Sequence, residues 1–128
     1  KFMTDNPKTL ALIAHDGKKA DMVAFALSNK EVLQRYELVA TRTTGQLLRE
    51  KCGLTVQQML SGPLGGDAQI AAQVAEGKIE AVFFFVDPLS AQPHDPDIQG
   101  LLRICNVHNV PLATNAATAK YIISTHAL

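Results

Sequence analysis

Asp16, Asp67, Asp87, Asp95 and Asp97, with His15 and His94, are the side chains best suited to proton transfer, and all lie in polar or glycine-containing stretches between apolar runs. A carboxylate can take a proton from a carbon beside a carbonyl if an electrophile holds the charge that builds on the oxygen. A neutral histidine does this by donating a hydrogen bond. An ordinary aspartate, with a pKa of about 3.9, is a weak base, so the role asks for partial burial or a neighbouring acid to raise it. The same groups could instead bind a divalent ion, although no HxH or HExxH spacing occurs.

A second set of residues suits an anion. Thr41, Thr43, Thr44 and Ser61 carry hydroxyls, Gly45, Gly62, Gly65 and Gly66 offer backbone amides, and Lys19 lies one turn past His15. Hydroxyls, amides and a lysine at helix starts fit a phosphate group. The spacing is neither a Walker A motif nor GxGxxG, which argues against a nucleoside triphosphate or a dinucleotide. Both glycine-containing stretches also have a purely structural reading. "TRTTG" (41–45) can be a threonine-rich turn that caps its helix. In "SGPLGGD" (61–67) the two glycines can form a turn, with Asp67 as the N-cap of the next helix. There is no nucleophile elbow, and Cys52 and Cys105 fall outside these stretches, so covalent catalysis has little support.

The elements that must position these residues are five short apolar runs, each followed by a polar segment and a helical pattern: 9–14, 36–41, 55–60, 79–86 and 110–115. The run 55–60, "TVQQML", is the weakest. "IEAVFFFV" (79–86) is nearly continuous in β-branched and aromatic residues, as expected of a central strand buried on both faces, so Phe83, Phe84 and Phe85 read as core. Gly53 and Gly77 close the second and third helices, Ile98, Leu101, Leu102 and Cys105 form an apolar stripe on the fourth, and the last runs from about Ala116 to Ser124. Strand alternating with helix predicts a three-layer α/β/α domain around a central five-stranded, mainly parallel sheet. In such sheets ligands sit at the carboxyl ends of the strands. His15 and Asp16 follow the first run, Thr41 to Gly45 the second and Ser61 to Asp67 the third. Asp87, His94, Asp95 and Asp97 follow the fourth, and Thr114 with Asn115 the fifth. His108 and His126 fall outside these loops and read as surface or packing residues.

With 128 residues, 47% of them hydrophobic and 19% charged, the chain is expected to fold as one domain, 1–128, with a single core. A formal net charge of +0 without a Lys or Arg block argues against a general nucleic-acid binder. No run reaches the length of a membrane span and "KFMTDNPK" has no signal-peptide core, so the expected address is cytoplasmic. The two cysteines match no metal spacing and read as buried, reduced thiols.

"LIAHDGKK", "VATRTTG", "SGPLGGDAQI" and "DPLSAQPHDPDIQGLLRICNVHNVPLATNAATA" together resemble the methylglyoxal synthase family, over about Leu10 to Ile123. The resemblance implies a homohexameric cytosolic enzyme that converts dihydroxyacetone phosphate to methylglyoxal and inorganic phosphate with no metal or organic cofactor. It implies Asp67 as the base, His94 as the group that polarises the substrate carbonyl, and Asp16, Asp87 and Asp97 as further active-site acids. It carries substrate contacts onto His15, Lys19, the loop Thr41, Arg42, Thr43 and Thr44, and Ser61 with Gly62.

One departure stands out: the family loop reads "TGTTG", and here Arg42 replaces the glycine. A positive φ at that position would strain an arginine by about 1 kcal/mol or more. Ordinary backbone there would leave a guanidinium free to help bind phosphate. A regulatory ligand-binding domain of the carbamoyl-phosphate synthetase type, which shares the fold and needs the anion loop but no base, is the rival reading. The joint presence of Asp67, His94 and Asp97 favours the enzyme.

Overall fold

The computed structural model describes residues 8–89 and 97–124. Five strands, β1 (Thr9–Ala14), β2 (Glu37–Ala40), β3 (Gln57–Gln58), β4 (Ala81–Phe85) and β5 (Leu112–Ala113), form one sheet in the order β3-β2-β1-β4-β5. Every pairing is parallel, with Leu10 opposite both Leu38 and Ala81. The helices are α1 (Lys19–Ser28), α2 (Lys30–Leu33), α3 (Arg42–Cys52), α4 (Gly66–Ala75), α5 (Ile98–Val107) and α6 (Ala116–Ser124), with 3-10 turns at Asp16–Lys18 and Gly62–Leu64.

Period-two alternation sorts the strand residues onto two cores. Leu10, Leu12, Ala14, Phe83 and Phe85 pack with Met22, Phe25 and Ala26 of α1, Leu48 of α3 and Ala119 of α6. Ala11, Ile13, Val82 and Phe84 pack with Ile70 and Val74 of α4 and Leu101 and Cys105 of α5. Right-handed crossovers explain the division: the chain steps one way from β1 to β3, then crosses back to β4 and β5, which puts α4 and α5 on the opposite face. The three-layer α/β/α prediction holds. Phe83, Phe84 and Phe85 are core, each contributing roughly 1.5–3 kcal/mol by burial.

Several local details differ from the sequence reading. The weak third run yields only two strand residues, because Gln57 and Gln58 occupy a sheet edge. "TRTTG" is not a turn ahead of a helix: Arg42 already begins α3, and the short α2 was not anticipated. Leu102, placed on the apolar stripe of α5, is exposed. Gly53 and Gly77 close their helices at φ 68 and 77, as expected.

Candidate active site

The sheet order reverses direction between β1 and β4, and the loops leaving these neighbouring strands meet. The His15 N–H continues the ladder to Phe85 O at 3.0 Å, and the Asp87 N–H donates to His15 Nδ1 at 3.0 Å. A ring nitrogen that accepts from an amide carries no proton, so His15 is a neutral imidazole protonated at Nε2. Its ring is buried and stacks edge-on against Phe84, centroids 5.3 Å apart. Asp87 accepts from the Leu89 N–H through Oδ1, and its carboxylate lies over Gly17, where a Cβ would collide with it. Lys19 Nζ donates to Ala14 O at 2.9 Å and pairs with Asp16 Oδ1 at 2.8 Å. An ammonium carries three donors, and these acceptors take two.

The loop after β2 supplies a helix start. Thr41 is the N-cap of α3, yet its side chain caps nothing; its hydroxyl donates to Thr44 Oγ1 at 3.4 Å, and both threonines are buried. The first intrahelical bond is Gly45 N–H to Thr41 O, so the amides of residues 42–44 point out of the helix end toward the carboxyl edge of the sheet. Thr43 and Arg42 are exposed. Among the described residues Asn109 is the only non-glycine with positive φ, so Arg42 has ordinary helical backbone. Its side chain lines an open depression of about 470 Å³ along α3, shared with Gln46, Arg49, Glu50 and Gln58.

"SGPLGGD" resolves differently from either reading. Gly65, at φ 102, is the N-cap of α4, and Asp67 is that helix's second residue rather than its cap. The Gly65 and Gly66 amides do not face outward: they donate to Gly62 O at 3.0 Å and Ser61 O at 2.9 Å. The glycines are required for other reasons. Gly65 takes a left-handed backbone, and Gly66 lets the Leu60 carbonyl come where a Cβ would not fit. Ser61, like Thr41, precedes its turn without a side-chain cap.

Asp67, only partly buried, accepts the Asp97 N–H on Oδ2 at 3.3 Å, while Asp97 Oδ1 accepts the Gln99 N–H and caps α5. The starts of α4 and α5 therefore converge at the carboxyl edge. Asn115 Oδ1 caps α6 through the Thr118 N–H. His94, Asp95 and His126 lie outside the described residues. A mainly apolar cavity of about 460 Å³ opens between the ends of β4 and β5, lined by Phe85, Val86, Pro88, Ile98 and Thr114 among others; of the described candidate catalytic acids, none lines it. Sequence reasoning missed Gln69, whose Oε1 accepts the Leu60 N–H at 2.7 Å; only its shared helix with Asp67 hinted at it.

Fold and loops together define an all-parallel α/β domain whose acids, imidazole and helix starts gather at a topological switch point. The MGS-like domain family matches over residues 21–114. A methylglyoxal synthase of Thermus thermophilus is 62% identical over 117 residues, 91% of this chain and 93% of that protein. One from Clostridium botulinum (strain Alaska E43 / Type E3) is 57% identical over 114 residues, 89% and 96% of the two chains. The crystal structure of methylglyoxal synthase from Elizabethkingia anophelis NUHP1 superposes with a TM-score of 0.90 at 46% identity, covering 92% of this chain and 78% of that one. The chain belongs to the methylglyoxal synthase family.

Proposed function

We propose that this chain is a lyase that converts dihydroxyacetone phosphate to methylglyoxal and inorganic phosphate. Asp67 takes a proton from the hydroxymethyl carbon beside the carbonyl, and the resulting enediolate expels phosphate as the carbon–oxygen bond breaks. The enol left behind tautomerises to methylglyoxal. His94 holds the carbonyl and enediolate oxygen by hydrogen bonding, and Asp16, Asp87 and Asp97 complete the acid set. His15, its ring fixed through Nδ1 by the Asp87 amide, contacts the substrate. Thr41, Thr43, Thr44, Ser61, Gly62 and Lys19 hold the phosphate. The start of α3, which no side chain among the described residues caps, supports this, because an uncapped helix end favours an anion. Holding the phosphate aligned with the π system is the positional part of the rate gain.

The observation that carries the reading is the Asp67 carboxylate, held by the Asp97 amide beside the Ser61–Gly62 turn. The chemistry asks for no metal or organic cofactor. The enzyme works in the cytoplasm as a homohexamer, with dihydroxyacetone phosphate and inorganic phosphate as its small-molecule partners. Among the described residues no helix is long and apolar enough to cross a membrane. Stoichiometric release of methylglyoxal and phosphate tests the activity, and inhibition by millimolar phosphate tests the shared anion site. An unchanged rate in phosphate contradicts that sharing.

A further inference from the structure

Helix α4 grips the segment that precedes its own start through one stripe of residues. The Leu60 N–H donates to Gln69 Oε1 at 2.7 Å, Gln73 Nε2 approaches Met59 Sδ at 3.5 Å, and Gly66 admits the Leu60 carbonyl. Positions 66, 69 and 73 follow helical i, i+3, i+7 spacing and so share a face. Upstream, the Met59 N–H donates to Ala40 O at 2.7 Å and ties the segment to β2. Downstream, Ser61 O accepts from the amides of Leu64 and Gly66. The Leu60 peptide is therefore the joint between the exit of β3 and the turn that carries Ser61 and Gly62.

We propose that Gln69 is a positioning residue: by holding the Leu60 peptide it fixes the Ser61–Gly62 turn relative to Asp67, two residues before it on the same helix. This rests on the proposed function, in which that turn holds phosphate and Asp67 takes the proton. Leu60 N–H can only donate, so the Gln69 atom facing it must be the amide oxygen. Gln69 and Leu60 are both exposed, so water can satisfy the amide when the side chain is lost. Loss of Gln69 therefore costs little stability. The cost falls on position, and a displacement on the order of 1 Å in such a site lowers rates by about 100-fold.

The test compares the wild type with Gln69→Leu, which removes the acceptor, and Gln69→Glu, which keeps one. The expected result is a kcat lower by roughly 10- to 100-fold in Gln69→Leu, with KM raised, thermal stability retained and faster hydrogen exchange at the Leu60 amide. Gln69→Glu recovers most of both losses. Wild-type kcat and KM in Gln69→Leu, or equal impairment in the two variants, overturns the proposal. If the wild type releases no methylglyoxal, the proposed function fails separately. Gln69 is then judged by inorganic phosphate titrated against the Ser61 and Gly62 amides: weaker binding in Gln69→Leu restored in Gln69→Glu supports it, and equal binding in all three proteins overturns it.

Discussion

The backbone N–H of Asp97 donates to Oδ2 of Asp67 at 3.3 Å, joining the first turn of α4 to the residue that caps α5. Since this bond uses the Asp97 backbone, substitution of its side chain leaves the donor in place and separates two other roles. Asp97→Ala removes the cap on the Gln99 amide and is expected to cost about 1 kcal/mol in urea unfolding. Asp97→Asn keeps a capping oxygen and the stability. Both variants are expected to lose turnover, because both lack the carboxylate. Full activity in Asp97→Asn would reduce Asp97 to a cap.

The two glycines before Asp67 fail differently when substituted. Gly65 has open space around it but a φ of 102, so Gly65→Ala is expected to cost about 1–2 kcal/mol from backbone strain alone. Gly66 has a strict steric limit, and Gly66→Ala must push Leu60 and Ser61 away from α4. It is expected to lose more stability than Gly65→Ala and most of its turnover. Urea unfolding and steady-state rates on both variants check this. Wild-type behaviour in Gly66→Ala would show that the Leu60 segment moves at no cost.

Arg42 begins α3 in ordinary helical backbone, so Arg42→Gly relieves no strain. Stability is expected to be unchanged or lower by up to about 1 kcal/mol, because glycine gains entropy on unfolding. Turnover is expected to stay within a few-fold, since the side chain lies along α3 beside Arg49 and Gln58. A stability gain near 1 kcal/mol in urea unfolding would contradict the unstrained backbone.

Burial pushes the Cys105 thiol up to about 11, and burial also raises Cys52 against the opposing charge of Lys30. In the unfolded chain a thiol loses its proton near pH 8.5, while folded Cys105 keeps it until about pH 11. Between those values the unfolded state binds fewer protons, so stability falls as pH rises, by at most about 1.4 kcal/mol per pH unit. Urea unfolding between pH 8 and 11 is expected to show a shallower alkaline decline in Cys105→Ala than in the wild type. Identical slopes would contradict the raised thiol.

Strand order aside, the fold was legible because hydrophobic runs and helix-closing glycines are local signals. Gly53 and Gly77 announced their helix ends, and the phenylalanine run announced β4. The cap reading of Asp67 fails because the cap depends on the left-handed backbone of Gly65, which the sequence "GGD" allows but does not require. The role of the Gly65 and Gly66 amides depends on how the 61–66 turn folds back on itself, and that closure is tertiary. His15 and Asp87 could be assigned to the same sheet edge from sequence, but their hydrogen bond follows from β1 pairing with β4. Beyond sharing a helix with Asp67, Gln69 carried no sequence signal, because its importance comes from the peptide it faces.

Methylglyoxal release from dihydroxyacetone phosphate by the wild type and Asp67→Asn, with phosphate affinity measured on both, tests the central claim most directly. Asparagine keeps an oxygen for the Asp97 amide and removes only the base. The predicted result is turnover in the wild type, none detectable in Asp67→Asn, and phosphate affinity within a few-fold. Full turnover in Asp67→Asn would remove Asp67 from its role. Phosphate binding without methylglyoxal in the wild type would identify a ligand-binding domain instead of an enzyme.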